Sequence, residues 1–361
     1  MQAKGVQPKV TIIIKALNEE RRIAACLQAA VSEAQSVQGE VLLVDSLSTD
    51  RTVEIAQGFP IRIVQFLHVG DRNCGSAVQL GFQYTQAPYL YVLDADMILQ
   101  PGFLATALSH LCADSGLAGV AGKLLDSRLL TVYDQRRAEK AVALTVPIEV
   151  GELGGGGLYR REAIDQVGYL GNRWLRAYEE AELGMRLRAA GWRLLRLPTP
   201  AVMHEGHFET SVAMLARLWR NGRATAAGVL VRGALGKPWF VRALRSQAHA
   251  LAVPAMHISS ALIGWLLLLD NGSWLAGYAA VWLGWFVLLC ARKRSLGGGS
   301  WTLLLWHYSA ITLLLGLFIP LRDPLLPIAA RELVYENLDH AIQQRDSADE
   351  PTEDRSHTVG E

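Results

Sequence analysis

The chain has 361 residues, of which 51% are apolar and 19% charged, with a formal net charge of +1. That length allows more than one folded unit and a sizeable core. The near-neutral balance, with no basic block interleaved with aromatics, excludes nucleic acid as a partner. The four cysteines, Cys26, Cys74, Cys112 and Cys290, have no metal-ligand spacing and fit small thiols in a reducing compartment. The apolar run at the start is too short for a signal peptide, so the first domain is expected to stay in the cytosol.

Residues 10–14, VTIII, are a short β-branched run of the kind that forms a parallel strand covered on both faces. Asn18 offers an N-cap, Glu19 and Glu20 suit a first turn, and Ile23, Leu27, Ala30 and Val31 recur at helical spacing. The unit then repeats: strand 40–45, helix within 48–57, strand 61–67, helix GSAVQLGFQYT, strand YLYVLDAD, and a helix entered at Pro101 and running to about His110. Four glycines precede a short strand and a helix closed by Gly168. The helix YEEAELGMRLRAA follows, with Leu183 and Leu187 on one face, Glu182 and Arg186 spaced i,i+4, and Gly191 at its end. WRLLRLP reads as the closing strand. Alternating strands and helices predict an α/β domain with a mostly parallel sheet flanked by helices, over residues 1–208.

Residues 209–247 mix apolar residues with arginines and almost no acid, which predicts amphipathic helices at a membrane surface. Three apolar segments follow, 248–269, 273–290 and 301–321, each near the roughly 17–25 residues that cross a hydrocarbon core. They make 248–321 a transmembrane region of about three helices, in an inner or plasma membrane. The cations at 292–294 and those before residue 248 should face the cytoplasm, and the turn DNGS should face outward. Three spans would place the tail outside, and a two-span or re-entrant arrangement would reverse that. Residues 322–361 read as an amphipathic stretch and then a disordered, acidic tail.

Ligands of open parallel sheets bind outside the carboxyl ends of the strands. Asp45 ends one predicted strand, and Asp94 and Asp96 end another. Two carboxylates at i and i+2 on a strand leaving its sheet can converge on a hard divalent cation that keeps positions open for phosphate oxygens.

The order ALNEE, VDSLSTDRT, VLDAD, GGGGLYRREA and YEEAELGMRLRAAGWRL resembles the family 2 glycosyltransferases of the GT-A fold, over residues 8 to about 205. The resemblance implies an inverting, multi-pass enzyme with a cytoplasmic catalytic domain. It would move a sugar from a nucleotide-diphospho sugar, with a UDP-sugar favoured, to a lipid-linked or glycan acceptor, using Mg²⁺ or Mn²⁺. Membrane lipids are then further partners.

By the same resemblance Ala16, Leu17, Glu19, Asp45 and Asp94 line or hold the nucleotide. Asp94 and Asp96 form the metal pair, with Asp96 the direct ligand, and Glu180 is the general base. Glu179, Gly156 and Gly157 would line the sugar or acceptor. His204 can bring a ring nitrogen to the metal, with His207 a weaker candidate. Three positions depart from the family pattern: Lys15 stands where Pro is common, Ser46 where a second Asp is frequent, and Glu180 is one methylene longer than the usual Asp. The rivals are a processive polysaccharide synthase, to be separated by product length, and a non-catalytic, membrane-tethered nucleotide-sugar scaffold, to be separated by turnover.

Overall fold

The computed structural model of the protein describes residues 7–130, 132–205, 210–269 and 272–333. Its first strand, β1 (Val10–Ala16), is the predicted apolar run, and Val10, Ile12, Ile13 and Ile14 have no exposed surface. Helix α1 (Ile23–Ser36) buries Ile23, Leu27 and Ala30 at the expected spacing. It starts later than the sequence suggests, because Asn18 is not its N-cap. Asn18 has a left-handed backbone (φ 58°) and ties its loop to the next one, with its own amide on Ser48 Oγ (2.9 Å) and Thr49 N on its Oδ1 (2.8 Å).

The chain continues through β2 (Glu40–Asp45), α2 (Thr52–Ala56), β3 (Arg62–Phe66), α3 (Cys74–Gln83) and β4 (Tyr89–Asp94). Helix α3 opens on a capping box between Asn73 and Ser76, which satisfies two otherwise orphaned backbone amides. Strand β5 (Met97–Leu99) follows two residues after β4, and α4 (Phe103–Ala113) begins beyond Gly102 rather than at Pro101.

The second half of the domain comprises β6 (Leu117–Asp126), α5 (Val132–Ala143), β7 (Ile148–Glu149), β8 (Gly157–Arg160), α6 (Arg161–Val167), α7 (Glu179–Ala189) and β9 (Arg193–His204). The Glu182–Arg186 pair forms at 2.8 Å, and Leu183 and Leu187 are buried beneath α7. Strand β9 runs well past the predicted WRLLRLP, through two prolines to His204.

The helical part begins with the predicted amphipathic stretch, α8 (Ser211–Arg220), α9 (Ala226–Gly233) and α10 (Phe240–Ser246). Leu230 and Ala243 share a small core with Leu175, against which Met185 and Ala189 of α7 also pack. Three long apolar helices follow: α11 (Ala248–Leu269), α12 (Trp274–Lys293) and α13 (Leu296–Leu317). The third takes in Gly297, Gly298 and Gly299, so it starts and ends several residues earlier than the sequence suggests. The chain then returns to the α/β domain as β10 (Ala330–Leu333).

Among the described residues all ten strands form one sheet, in the order β10-β3-β2-β1-β4-β8-β6-β9-β5, with β7 on β9. The strands β3, β2, β1 and β4 run parallel, as do β6 and β9, whereas β8 between them and the edge strands β5, β7 and β10 run antiparallel. Two apolar layers, one on each face, cover it. The carboxyl ends of β1, β2 and β4 therefore open on one rim, where ligands of such sheets bind. Residues 334–361 and His207 lie outside the described residues.

Candidate active site

The parallel register sets Lys15 beside Asp94 and Ala16 beside Asp45. Lys15 Nζ lies 2.8 Å from Asp94 Oδ1 and 3.6 Å from Glu179 Oε1. Burial alone would lower the lysine, but Asp94 and then Glu179 outweigh it and hold its ammonium well above the usual range. A permanent cation thus joins the first acid of the strand end to the first acid of α7.

Asp96 is held from the other side. The antiparallel pairing of β5 with β9 aligns Met97 with His204 and brings the imidazole to the acid: Nε2 is 3.3 Å from Asp96 Oδ2, and Nδ1 is 2.7 Å from Asp126 Oδ1. Arg137 closes the chain with contacts of 2.9 Å to each Asp126 oxygen and 2.7 Å to Asp134. Burial works against ionisation of Asp96, but the His204 contact prevails and keeps it below the usual carboxylate range; burial likewise opposes the imidazolium, and Asp96 with Asp126 raises His204.

Asp94 and Asp96 both line a cavity of about 590 Å³, together with Ala16, Leu17, Glu19 and Ser46. Burial, only partly offset by Arg22, pushes Glu19 up to about 7. Asp45 does not open into this space. It has no exposed surface and accepts hydrogen bonds from Gln65 Nε2 (2.8 Å) and the Ser48 amide (3.2 Å), so it shapes the loop that carries Ser46.

A second cavity, of about 820 Å³, lies on the other side of Asp94 and is lined by Lys123, Glu152, Gly154, Gly155 and Arg196. The glycines expected here were Gly156 and Gly157, but both are buried: a Cβ on Gly156 would meet Tyr91 Oη at 3.1 Å, and one on Gly157 would meet Leu153 at 2.8 Å. Arg196 fixes the lining loop by donating to the carbonyls of Leu153 (2.7 Å) and Gly154 (3.1 Å). Glu152 and Arg196 were not singled out in the sequence; a cation at a half-buried position of a strand was the available signal.

Glu180 lines neither large cavity. It sits behind Gly154, where an added Cβ would come to 3.4 Å from Oε2, so a side chain at 154 would cover the carboxylate. Burial, opposed by Lys15 and reinforced by Glu179, pushes Glu180 up to about 7.

A metal has partial provision. Asp96 Oδ1 is buried without a hydrogen-bond partner, and Asp94 stands two residues away, a hard oxygen pair that fits a divalent cation. Among the described residues, however, no three His, Cys, Asp or Glu side chains gather as a metal site. Both ring nitrogens of His204, expected as a third ligand, are already engaged by carboxylates.

The mixed sheet flanked by helices has the GT-A fold of glycosyltransferases, and three apolar helices follow it. The chain is similar in fold to the mannosyltransferase PcManGT from Pyrobaculum calidifontis, solved in complex with GDP-Man and Mn²⁺ (TM-score 0.57, 20% identity, 87% of this chain and 88% of that one). It is also similar to TarS 1-349 from S. aureus in complex with UDP-GlcNAc (TM-score 0.50, 14% identity, 86% and 89%). Residues 11–168, most of the α/β domain, match the model of glycosyl transferase family 2.

Over 94 residues the chain is 32% identical to 4,4'-diaponeurosporenoate glycosyltransferase of Staphylococcus haemolyticus, a stretch covering 25% of this chain and 24% of that protein. Over 93 residues it is 32% identical to a low-salt glycan biosynthesis hexosyltransferase of Haloferax volcanii, covering 25% and 22%. The chain thus spans less than a quarter of the length of each of these curated relatives.

Proposed function

We propose that the protein transfers a hexosyl group, with inversion, from a nucleotide-diphospho sugar to an acceptor presented at the membrane surface. The observation that carries this is the position of Asp94 between two cavities, with Asp96 opening into the first and Glu180 behind the wall of the second.

In this reading the nucleotide occupies the cavity of Ala16, Leu17, Glu19 and Ser46, and the sugar reaches past Asp94 toward Gly154 and Gly155. Asp45 acts on the nucleotide through the loop it holds. Mg²⁺ or Mn²⁺ bound by Asp96 and Asp94 would supply positive charge to the diphosphate as it leaves. Lys15 supports the same end by neutralising Asp94 and Glu179. Glu180 takes the proton of the attacking acceptor O–H, a hydroxyl or the P–OH of a singly ionised phosphate, while that oxygen bonds to the anomeric carbon, and the old C–O bond breaks with its electron pair going to the nucleoside diphosphate. A carboxyl with a pKa of about 7 is well matched to that task near neutrality.

A third cavity, of about 840 Å³, supports a lipid-linked acceptor. It lies between the α/β domain and the long helices, is lined by Arg136, Arg223, Arg292 and Lys293 with Trp306 and Leu289, and has no acid among the described residues that line it. Arg223 also lines the Asp94–Asp96 cavity, and Arg223 Nε is buried without a partner. A basic chamber with apolar walls suits a lipid with an anionic head.

The test uses purified protein in detergent with a panel of UDP- and GDP-sugars, Mn²⁺, and a polyprenyl phosphate or its uncharged alcohol. Nucleoside diphosphate release together with a singly glycosylated lipid phosphate is expected. Long polymers would favour a synthase, and nucleotide-sugar binding with no turnover would refute the enzymatic reading.

A further inference from the structure

Three apolar helices that each crossed a bilayer would leave the two ends of the helical part on opposite sides. The chain path is incompatible with that. Before α11, Ala243 of α10 is buried with Leu175 of the α/β domain. After α13, the chain is tied first to α9 and then to the α/β domain. Arg232 of α9 donates to the carbonyls of Leu317 (2.9 Å) and Ile319 (3.0 Å), and Trp174 Nε1 donates to that of Asp323 (2.9 Å). Arg173 reaches Leu326 and Pro327, Ile328 is buried in a sheet core, and β10 pairs antiparallel with β3. An odd number of crossings would strand β10 across the bilayer from the strand it pairs with.

The helix that does not cross can be identified. Helices α11 and α12 form a tight hairpin in which a Cβ on Gly277 would lie 3.0 Å from the Gly264 backbone. Cations precede α11 (Arg242, Arg245) and end α12 (Arg292, Lys293), while the tip at 270–273 has none, the asymmetry of a pair that leaves and returns. Helix α13 is different. It is the least apolar of the three. Tyr308 Oη donates to Leu215 O of α8 (3.0 Å), and a Cβ on Gly316 would meet the α9 backbone at Thr225 O. Its exposed apolar residues also include Leu296 and Leu314, but Leu304, Ile311 and Leu315, with Phe318 at the C-cap, fall seven, four and three apart, which is one helical face.

We propose that only α11 and α12 cross the membrane. Helix α13 lies along the bilayer surface on the side of the α/β domain, with the Leu304–Ile311–Leu315–Phe318 face against the acyl chains. The polypeptide beyond it shares the compartment of the sheet. This follows from chain path and does not rest on the reaction.

The test is single-cysteine labelling by a membrane-impermeant maleimide in sealed vesicles of both orientations, with the four native cysteines replaced by serine and Asn271→Cys, Ser295→Cys or Arg322→Cys introduced. Asn271→Cys should label from one side, and the other two from the opposite side. Labelling of Arg322→Cys together with Asn271→Cys would overturn the proposal, as would labelling of all three from one side. Because cysteine replacement can impair folding, the otherwise native chain with a different epitope tag at each terminus provides a second reading. Protease added to one face should remove both tags or neither; removal of one alone overturns the proposal.

Discussion

The cavity at the sheet rim and the chamber beside the long apolar helices handle charge in opposite ways. At the rim most acids have an assigned cation: Arg22 for Glu19, Lys15 for Asp94 and Glu179, His204 for Asp96, and Arg137 for Asp126 and Asp134. In the chamber there are cations and no acid among the described residues that line it. Internal pairing at the rim fixes Asp94 and Asp96 in the positions that the proposed metal diphosphate would use. Of the described cations that line the chamber, Arg137 is shared with the acids of the rim, whereas Arg136, Arg223, Arg292 and Lys293 suit an anion from outside, and the apolar walls suit one attached to a lipid. Substitutions at the rim should therefore act on chemistry, and substitutions in the chamber on acceptor affinity.

The sharpest break would come from Asp96→Ala, for which kcat is expected to fall about a thousandfold with little change in acceptor KM, measured by nucleotide release. Glu180→Gln should lose on the order of a hundredfold or more in kcat. Because the carboxylate is the active form, wild-type rate should rise with pH through about 7, and Glu180→Gln should lack that rise. In Lys15→Met the cation that restrains Glu180 is gone, so the midpoint of the rise should move upward, with a rate loss of about tenfold at neutrality. An unmoved midpoint would disconnect Lys15 from the base. Arg292→Ala with Lys293→Ala should raise KM for a phosphate-headed lipid by about tenfold and leave donor binding unchanged. An equal effect on the uncharged lipid would erase the contrast between the two regions. The smallest effect is expected from Arg331→Ala, a fall of a few degrees or less in Tm by thermal shift.

The parallel half of the sheet was legible because each of its strands is a local apolar run, and a run ending in acids shows where the carboxyl rim lies. Strand 40–45 falls where it was read; the strand read over 89–96 stops at Asp94, which leaves Asp96 in the turn before β5. The rest depends on contacts between distant segments. Strand β5 has three residues and no signal of its own, yet its pairing with β9 carries His204 to Asp96. Asp45 was placed correctly at a strand end, but Gln65, aligned with it on β3, turns it inward. Gly154 and Gly155, not the next two glycines, line the second cavity, because a glycine run does not encode which members pack under the sheet. Strand β10 fell in a stretch read as tail; its four residues, AREL, acquire strand character only against the edge of β3.

That last strand bears on how the protein is made. Arg331 of β10 contacts Gln65 Oε1 at 3.1 Å, and Gln65 in turn holds Asp45. Synthesis runs from the N-terminus, so the outer edge of β3 emerges from the ribosome long before its partner and waits through the production of the whole apolar hairpin. An unpaired edge strand is a place where nascent chains mispair. If the hairpin enters a bilayer as proposed above, completion of the sheet must follow its delivery, and a molecule whose hairpin has gone astray would be left with an open sheet edge.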